Sequence, residues 1–325
     1  MRKAILAAAV SAIVAGAGGA SAQEWPTRPV TLVVPYAAGG PADVMARIIT
    51  QRLSEILGAQ VIVENVGGAG GMNGVARVAK AAADGYQFVF GDSGTFAANQ
   101  TLYKKPLYNA ATDFAPVGLV VAQSMVLLTR KDFPASNLQE FVAQVKANQA
   151  KMQFGSSGAG SPPHLACALL NTTVGVTVTH VPYRGSALAM QDLIAGRLDY
   201  QCVGTVASIS QIEGKTVKAI ALLTTSRSAN LPALATAQEQ GLVNFDGDAW
   251  LAFFLPKGTP ASIIQKLQRA TVTAMATPLV QERLKDVGVA VVPPERRSSE
   301  YLQKFVVSEI EKWAVVIKTA RISAD

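Results

Sequence analysis

Apolar residues recur along this chain in two alternating rhythms: short unbroken runs, and longer stretches with a helical period. Val30 to Val34 is the first run, the pattern of a strand buried on both faces, and it ends at Pro35. After Tyr36, Ala37, Ala38, Gly39 and Gly40, the residues Val44, Ile48, Ile49, Leu53, Ile56 and Leu57 share one face of a helix that Gly58 stops. Val61 to Val63 repeats the strand signal, Gly67 to Gly74 reads as a glycine-rich loop, Val75 to Ala83 as a helix and Gln87 to Phe90 as another strand. The longer apolar stretch Val117 to Leu128 precedes a helix start at Asn137, and strand and helix then alternate through Phe154, Val176 to Val181 and Leu198 to Val203. Val217 to Leu223 predicts a strand that carries the chain back, and Phe253 to Leu255 with the helical segments from Ala261 onward completes the first unit. Such alternation predicts an α/β protein whose sheets are mostly parallel and flanked by helices.

The first residues obey a different rule. Arg2 and Lys3 precede an apolar run from Ala4 to Val14 and small residues that end in Ala20, Ser21, Ala22. That is the pattern of an export signal, with cleavage expected after Ala22, and its apolar run is shorter than the roughly 20 residues a bilayer span needs. Export predicts a periplasmic location. Removing residues 1–22 takes the basic residues from 29 to 27 against 22 acids, a net charge of +5. Those charges are scattered rather than striped, so nucleic acid is not an expected partner, although a weak positive field favours anionic small molecules. The remaining 303 residues exceed what one core usually serves, so two lobes with a cleft are expected: residues 23–123 with 225–325, and residues 124–224. Cys167 and Cys202, an even pair in an exported chain, predict one disulfide.

Three turns are candidate binding elements. At Tyr36 to Asp43, Pro41 suits the first helical position and Asp43 the third, so Gly39 and Gly40 are expected to offer backbone amides to an anion. The competing reading is an ordinary strand-to-helix turn with Asp43 as a local cap. Phe154 to Leu165 repeats the logic with Ser156, Ser157, Ser161 and His164, against a flexible loop with Ser161 as helix cap. Val181 to Ala187, with Tyr183, Arg184, Gly185 and Ser186, is the third turn of the type. All three would lie beyond carboxyl ends of strands, where open parallel sheets bind ligands. Catalytic motifs fail position by position. Gly91 to Thr95 misses the GxSxG elbow at Thr95, Gly155 to Ala159 misses it at Ala159, and Gly68 to Asn73 misses GxGxxG at Asn73. His164, Cys167, His180 and Cys202 match no standard zinc spacing, so neither a metal nor a cofactor is expected.

At these residues the chain resembles the substrate-binding proteins of tripartite tricarboxylate transporters, the Bug or TctC-type receptors. The resemblance runs from Trp25 to Pro29 and the Pro35 to Asp43 turn through ENVGGAGGMNG at 64–74, GSSGAGSPPHL at 155–165 and VPYRG at 181–185 to DLIAGRLDY at 192–200 and LPKGTP at 255–260. It departs at Tyr36, where phenylalanine is common. The resemblance implies a two-lobed periplasmic binding fold of type II, crossed twice by the chain, that closes on a carboxylate held by backbone amides and ordered waters. That role falls here to Tyr36, Ala38, Gly39 and Gly40, with Ser93 and Thr95 beside them and Ser156, Ser157, Ser161, His164 and Tyr183 to Ala187 opposite. It further implies a monomeric receptor that delivers a dicarboxylate or aromatic carboxylate to membrane permease subunits and catalyses nothing. A carboxylate sensor for a signalling partner, or a small-acid hydrolase or lyase, are the competing functions.

Overall fold

The computed structural model describes residues 25–224, 227–228, 230–243, 245–320 and 322, so the leader expected at 1–22 lies outside the described residues. Eleven strands among them form two sheets. The first takes β1 (Val30–Val34), β2 (Val61–Asn65), β3 (Gln87–Asp92), β4 (Phe114–Gln123), β10 (Ala249–Pro256) and β11 (Val289–Val291), in the order β11-β4-β10-β3-β1-β2. The second takes β5 (Met125–Arg130), β6 (Gln153–Ser156), β7 (Thr179–Pro182), β8 (Tyr200–Gly204) and β9 (Val217–Leu222), in the order β7-β6-β8-β5-β9. In each sheet the strand entered after a crossing, β5 in one and β10 in the other, pairs antiparallel with both neighbours. The pairs β1–β2, β1–β3, β6–β7 and β6–β8 are parallel, while β11 joins β4 antiparallel.

Why continuous apolar runs form these strands is visible in β1. Leu32 and Val34 enter one core with Ile49 and Leu53 of the helix Pro41–Leu57, while Val33 enters the opposite core with Val75 of the helix Met72–Ala79. Successive side chains of a strand point to opposite faces, so a strand covered on both sides must be apolar at every position. The second sheet repeats the device. Met125 and Leu127 of β5 meet Phe141 and Cys167, whereas Val126 and Leu128 meet Met190 and Leu193.

Helix ends follow local chemistry. Pro41 opens its helix and Gly58, at φ 70°, closes it. Asn137 caps the Leu138–Asn148 helix by accepting from the Glu140 amide. One boundary moves: the expected Val75 to Ala83 helix runs instead from Met72 to Ala79. Gly71, at φ 94°, already supplies the turn, and Gly74 is inside the helix because a side chain there would collide with the Val66 carbonyl.

The chain passes between sheets twice. Only Ser124 separates β4 from β5, and residues 223–248 separate β9 from β10, with the Leu223 amide donating to the Met125 carbonyl at 2.7 Å where the two passages meet. The disulfide is present: Cys167 on the helix Pro162–Val174 joins Cys202 on β8, with 5.3 Å between their Cα atoms. No helix among the described residues is long and apolar enough to cross a membrane.

Candidate functional site

Three helices start at one cavity. Gly40, Pro41 and Ala42 at the start of Pro41–Leu57, Pro162 and Pro163 at the start of Pro162–Val174, and Gly185 and Ser186 at the start of Ser186–Ile194 all line one cleft. The first helix packs on the first sheet and the other two on the second, so the cleft lies between the lobes. First-turn amides of a helix have no intrahelical acceptor, and the aligned peptide dipoles place a partial positive charge there. Three such ends aimed at one space favour an anion, and none of the residues lining that space is Lys, Arg or His. Pro41, Pro162 and Pro163 bring no N–H, so the lining amides at these helix starts are those of Gly40, Ala42, Gly185 and Ser186.

Of the residues expected from sequence, Tyr36, Gly40, Ser157, Gly185 and Ser186 line this cleft. Others hold the turns in shape. The Gly39 amide, expected to be free, donates to Asp43 Oδ2 at 2.9 Å, so Asp43 plays the capping part; it also receives Arg47 Nε at 3.0 Å and Asn65 Nδ2 at 3.0 Å. Burial alone would raise the Asp43 carboxyl, but these hydrogen bonds outweigh it and hold the group below its ordinary value. Ala38 and Gly39 are exposed. Thr95 is tied to Asp92 in both directions, Asp92 N donating to Thr95 Oγ1 at 2.9 Å and Thr95 N to Asp92 Oδ1 at 2.8 Å, and Ser93 is buried between them.

The second turn is similarly knitted. Ser161 stands at the helix N-cap, but its hydroxyl donates to the Gly158 carbonyl at 2.7 Å instead of capping. Ser156 Oγ lies 2.7 Å from His180 Nε2 and accepts from the Gly158 amide, while the Gly160 amide donates to His164 Nδ1 at 3.0 Å. Burial, and then the neighbouring His180, depress the His164 imidazole to about 3; burial depresses His180 to about 4. Ser156 is fully buried, so its pairing with His180 shapes the loop rather than facing the cleft. In the third turn the Tyr183 hydroxyl donates to Asp192 at 2.6 Å, and the exposed Arg184 contributes its carbonyl, which accepts from the Ala37 amide of the other lobe at 3.4 Å. Ala187 is half-buried one residue beyond the lining.

Sequence reasoning missed Asp92, Gln123, Met125, Gly204, Ala249 and Leu251, which form the floor. The signal for Gln123 was its polarity inside the apolar stretch Val117 to Leu128. Across the mouth the lobes meet on backbone. A side chain at Gly70 would overlap the Ala159 carbonyl, one at Gly94 the Gly160 carbonyl, and one at Gly185 would press on Ala37. Tyr103 bridges the same seam, donating to the Ala159 carbonyl at 3.1 Å. Among the described residues no group of three His, Cys, Asp or Glu is arranged to hold a metal ion.

Two α/β lobes, two chain crossings and a cleft lined by helix N-termini define a solute-binding protein fold. The chain belongs to the tripartite tricarboxylate transporter receptor family: the sequence profile of "Tripartite tricarboxylate transporter family receptor" matches residues 45–322. A "UPF0065 protein in the TAR-I ttuE-ttuC' intergenic region" of Agrobacterium vitis is 41% identical over 93% of this chain and 87% of its own length. Among solved structures, the periplasmic binding protein BugD superposes with a TM-score of 0.88 at 38% identity, covering 92% of this chain and 99% of its own. MatC from Rhodopseudomonas palustris, solved with bound malate, gives 0.87 at 38% identity over 90% and 100%. The fold is thus that of the periplasmic binding proteins, as the family resemblance implied.

Proposed function

We propose that this protein is a periplasmic receptor that captures a small organic acid, a mono- or dicarboxylate, between its lobes and delivers it to tripartite-type permease subunits in the membrane. Its lobes divide as residues 23–123 with 225–325 and residues 124–224, its leader is cleaved after Ala22, and it acts as a monomer without chemistry. The observation that carries the reading is the convergence of three helix N-termini from both lobes on one cleft that no basic side chain lines. A carboxylate there draws on amides of Gly40 and Ala42 from one side and Ser186 and Ala187 from the other, so binding and closure reinforce each other. MatC, with its bound malate, supports a carboxylate ligand.

Thermal shift against mono-, di- and tricarboxylates tests this, using protein unfolded and refolded to strip carried-over ligand. A ligand at 100-fold above its Kd adds about 2.7 kcal/mol of stability, so a selective rise in melting temperature is expected. No rise with any acid would overturn the proposal.

A further inference from the structure

The helix N-termini account for one end of a ligand; the floor of the cleft faces the other. Tyr36, two residues beyond β1, and Gln123, the last residue of β4, are 7% and 5% exposed and both line the cleft. Neither the Tyr36 hydroxyl nor Gln123 Nε2 has a hydrogen-bond partner among the described residues. A buried polar group left unpaired costs stability, so two of them facing one cavity mark a place shaped for a partner.

Their neighbour is Asp92, 2% exposed and also on the lining. The strand register brings the three together: on the intervening β10, Ala249 pairs with Gln123 and Leu251 with Asp92, and Ala249 and Leu251 both face the cleft. Cross-strand partners share a face of the sheet, so Gln123 and Asp92 flank the same apolar strip from either side. The Tyr36 hydroxyl lies beside the Asp92 carboxyl. Gln123 has room only because position 204 on β8 is glycine, since any side chain there would overlap the Gln123 amide.

We propose that Tyr36, Gln123 and Asp92 select a hydroxyl group at the far end of the ligand, so that the preferred solute is a hydroxy acid. This rests on the carboxylate reading of the helix N-termini. A hydroxyl accepts from Gln123 Nε2, donates to the Asp92 carboxyl, and brings no charge. A second carboxylate would find donors in Tyr36 and Gln123, but it would lie against the Asp92 carboxyl in a cavity whose lining holds no Lys, Arg or His. An ammonium would pair with Asp92 yet meet the N–H donors of Gln123. An alkyl end would leave Tyr36 and Gln123 unpaired.

The test is calorimetry on protein expressed with its own leader and refolded to remove carried-over ligand. The probes are C4 and C6 sets of matched linear acids: ω-hydroxy acid, dicarboxylate, ω-amino acid and plain alkyl acid. The hydroxy acid is expected to bind at least about tenfold tighter than each matched counterpart. In Gln123→Met and Tyr36→Phe, each first shown to melt cooperatively, the ratio of hydroxy to alkyl affinity should collapse toward one. Tightest binding by the dicarboxylate or amino acid, or an unchanged ratio in both variants, would overturn the assignment and leave the receptor reading intact. Failure of all four classes to bind would overturn both.

Discussion

His164 and His180 stack with ring centroids 4.0 Å apart, in a column with Phe154 and Tyr200. Each imidazole stays neutral in the folded chain to about 3 and about 4, whereas in the unfolded chain it takes up a proton near 6.5. The stability this pair contributes is complete above pH 6.5 and is lost as the pH falls toward those lower values. At pH 5 the loss is about 2 kcal/mol for each imidazole, so the melting temperature should fall between pH 7 and pH 5. His180→Leu should remove about half of that dependence, and a pH series of melting curves on both proteins checks it. The sequence offers His164 as a candidate of the second turn, but its stacking partner His180 stands on β7, and no spacing rule connects residues 164 and 180.

At the scale of elements, the three turns were legible because strand, glycine and helix signals are local. Which amides they expose was not. Asp43 consumes the Gly39 amide, and Ser156, Ser161 and His164 stitch their own loop together. Distinguishing a cap from a ligand donor requires knowing where each side chain turns, which depends on Asn65 and His180 arriving from elsewhere. The disulfide, by contrast, followed from compartment and count. It clamps the helix Pro162–Val174, whose start forms part of the cleft, to β8 across 35 residues of sequence. Replacing both cysteines by alanine should cost ~3–4 kcal/mol in the chain-entropy account, read as a lower midpoint in urea without loss of cooperativity.

For the whole molecule, the seam between lobes is where the two halves meet on backbone. Gly94 opens the π-helical turn Gly94–Ala98, and a methyl group there would meet the Gly160 carbonyl of the other lobe. Gly94→Ala should therefore weaken ligand affinity by about tenfold or more through incomplete closure, while the melting temperature of the unliganded protein stays close to the parent's. Calorimetry paired with thermal melts separates those effects. Equal affinity would show that the lobes need not approach this closely to hold their ligand.

The sequence alone determined the α/β class, most strand runs and helix starts and the three glycine turns, because each depends on residues within a few positions of one another; it did not show that the run Val117 to Leu128 divides between two sheets at Ser124. It also carried the family resemblance, which rests on the order of such segments. Tertiary structure decided the floor of the cleft. Asp92 and Gln123 are separated by 31 positions and face one cavity only because β10, arriving from residues 249–256, inserts between β3 and β4. Pairing between distant strands is set by the burial of both faces of the sheet at once, a condition on the whole fold that no local window of sequence contains.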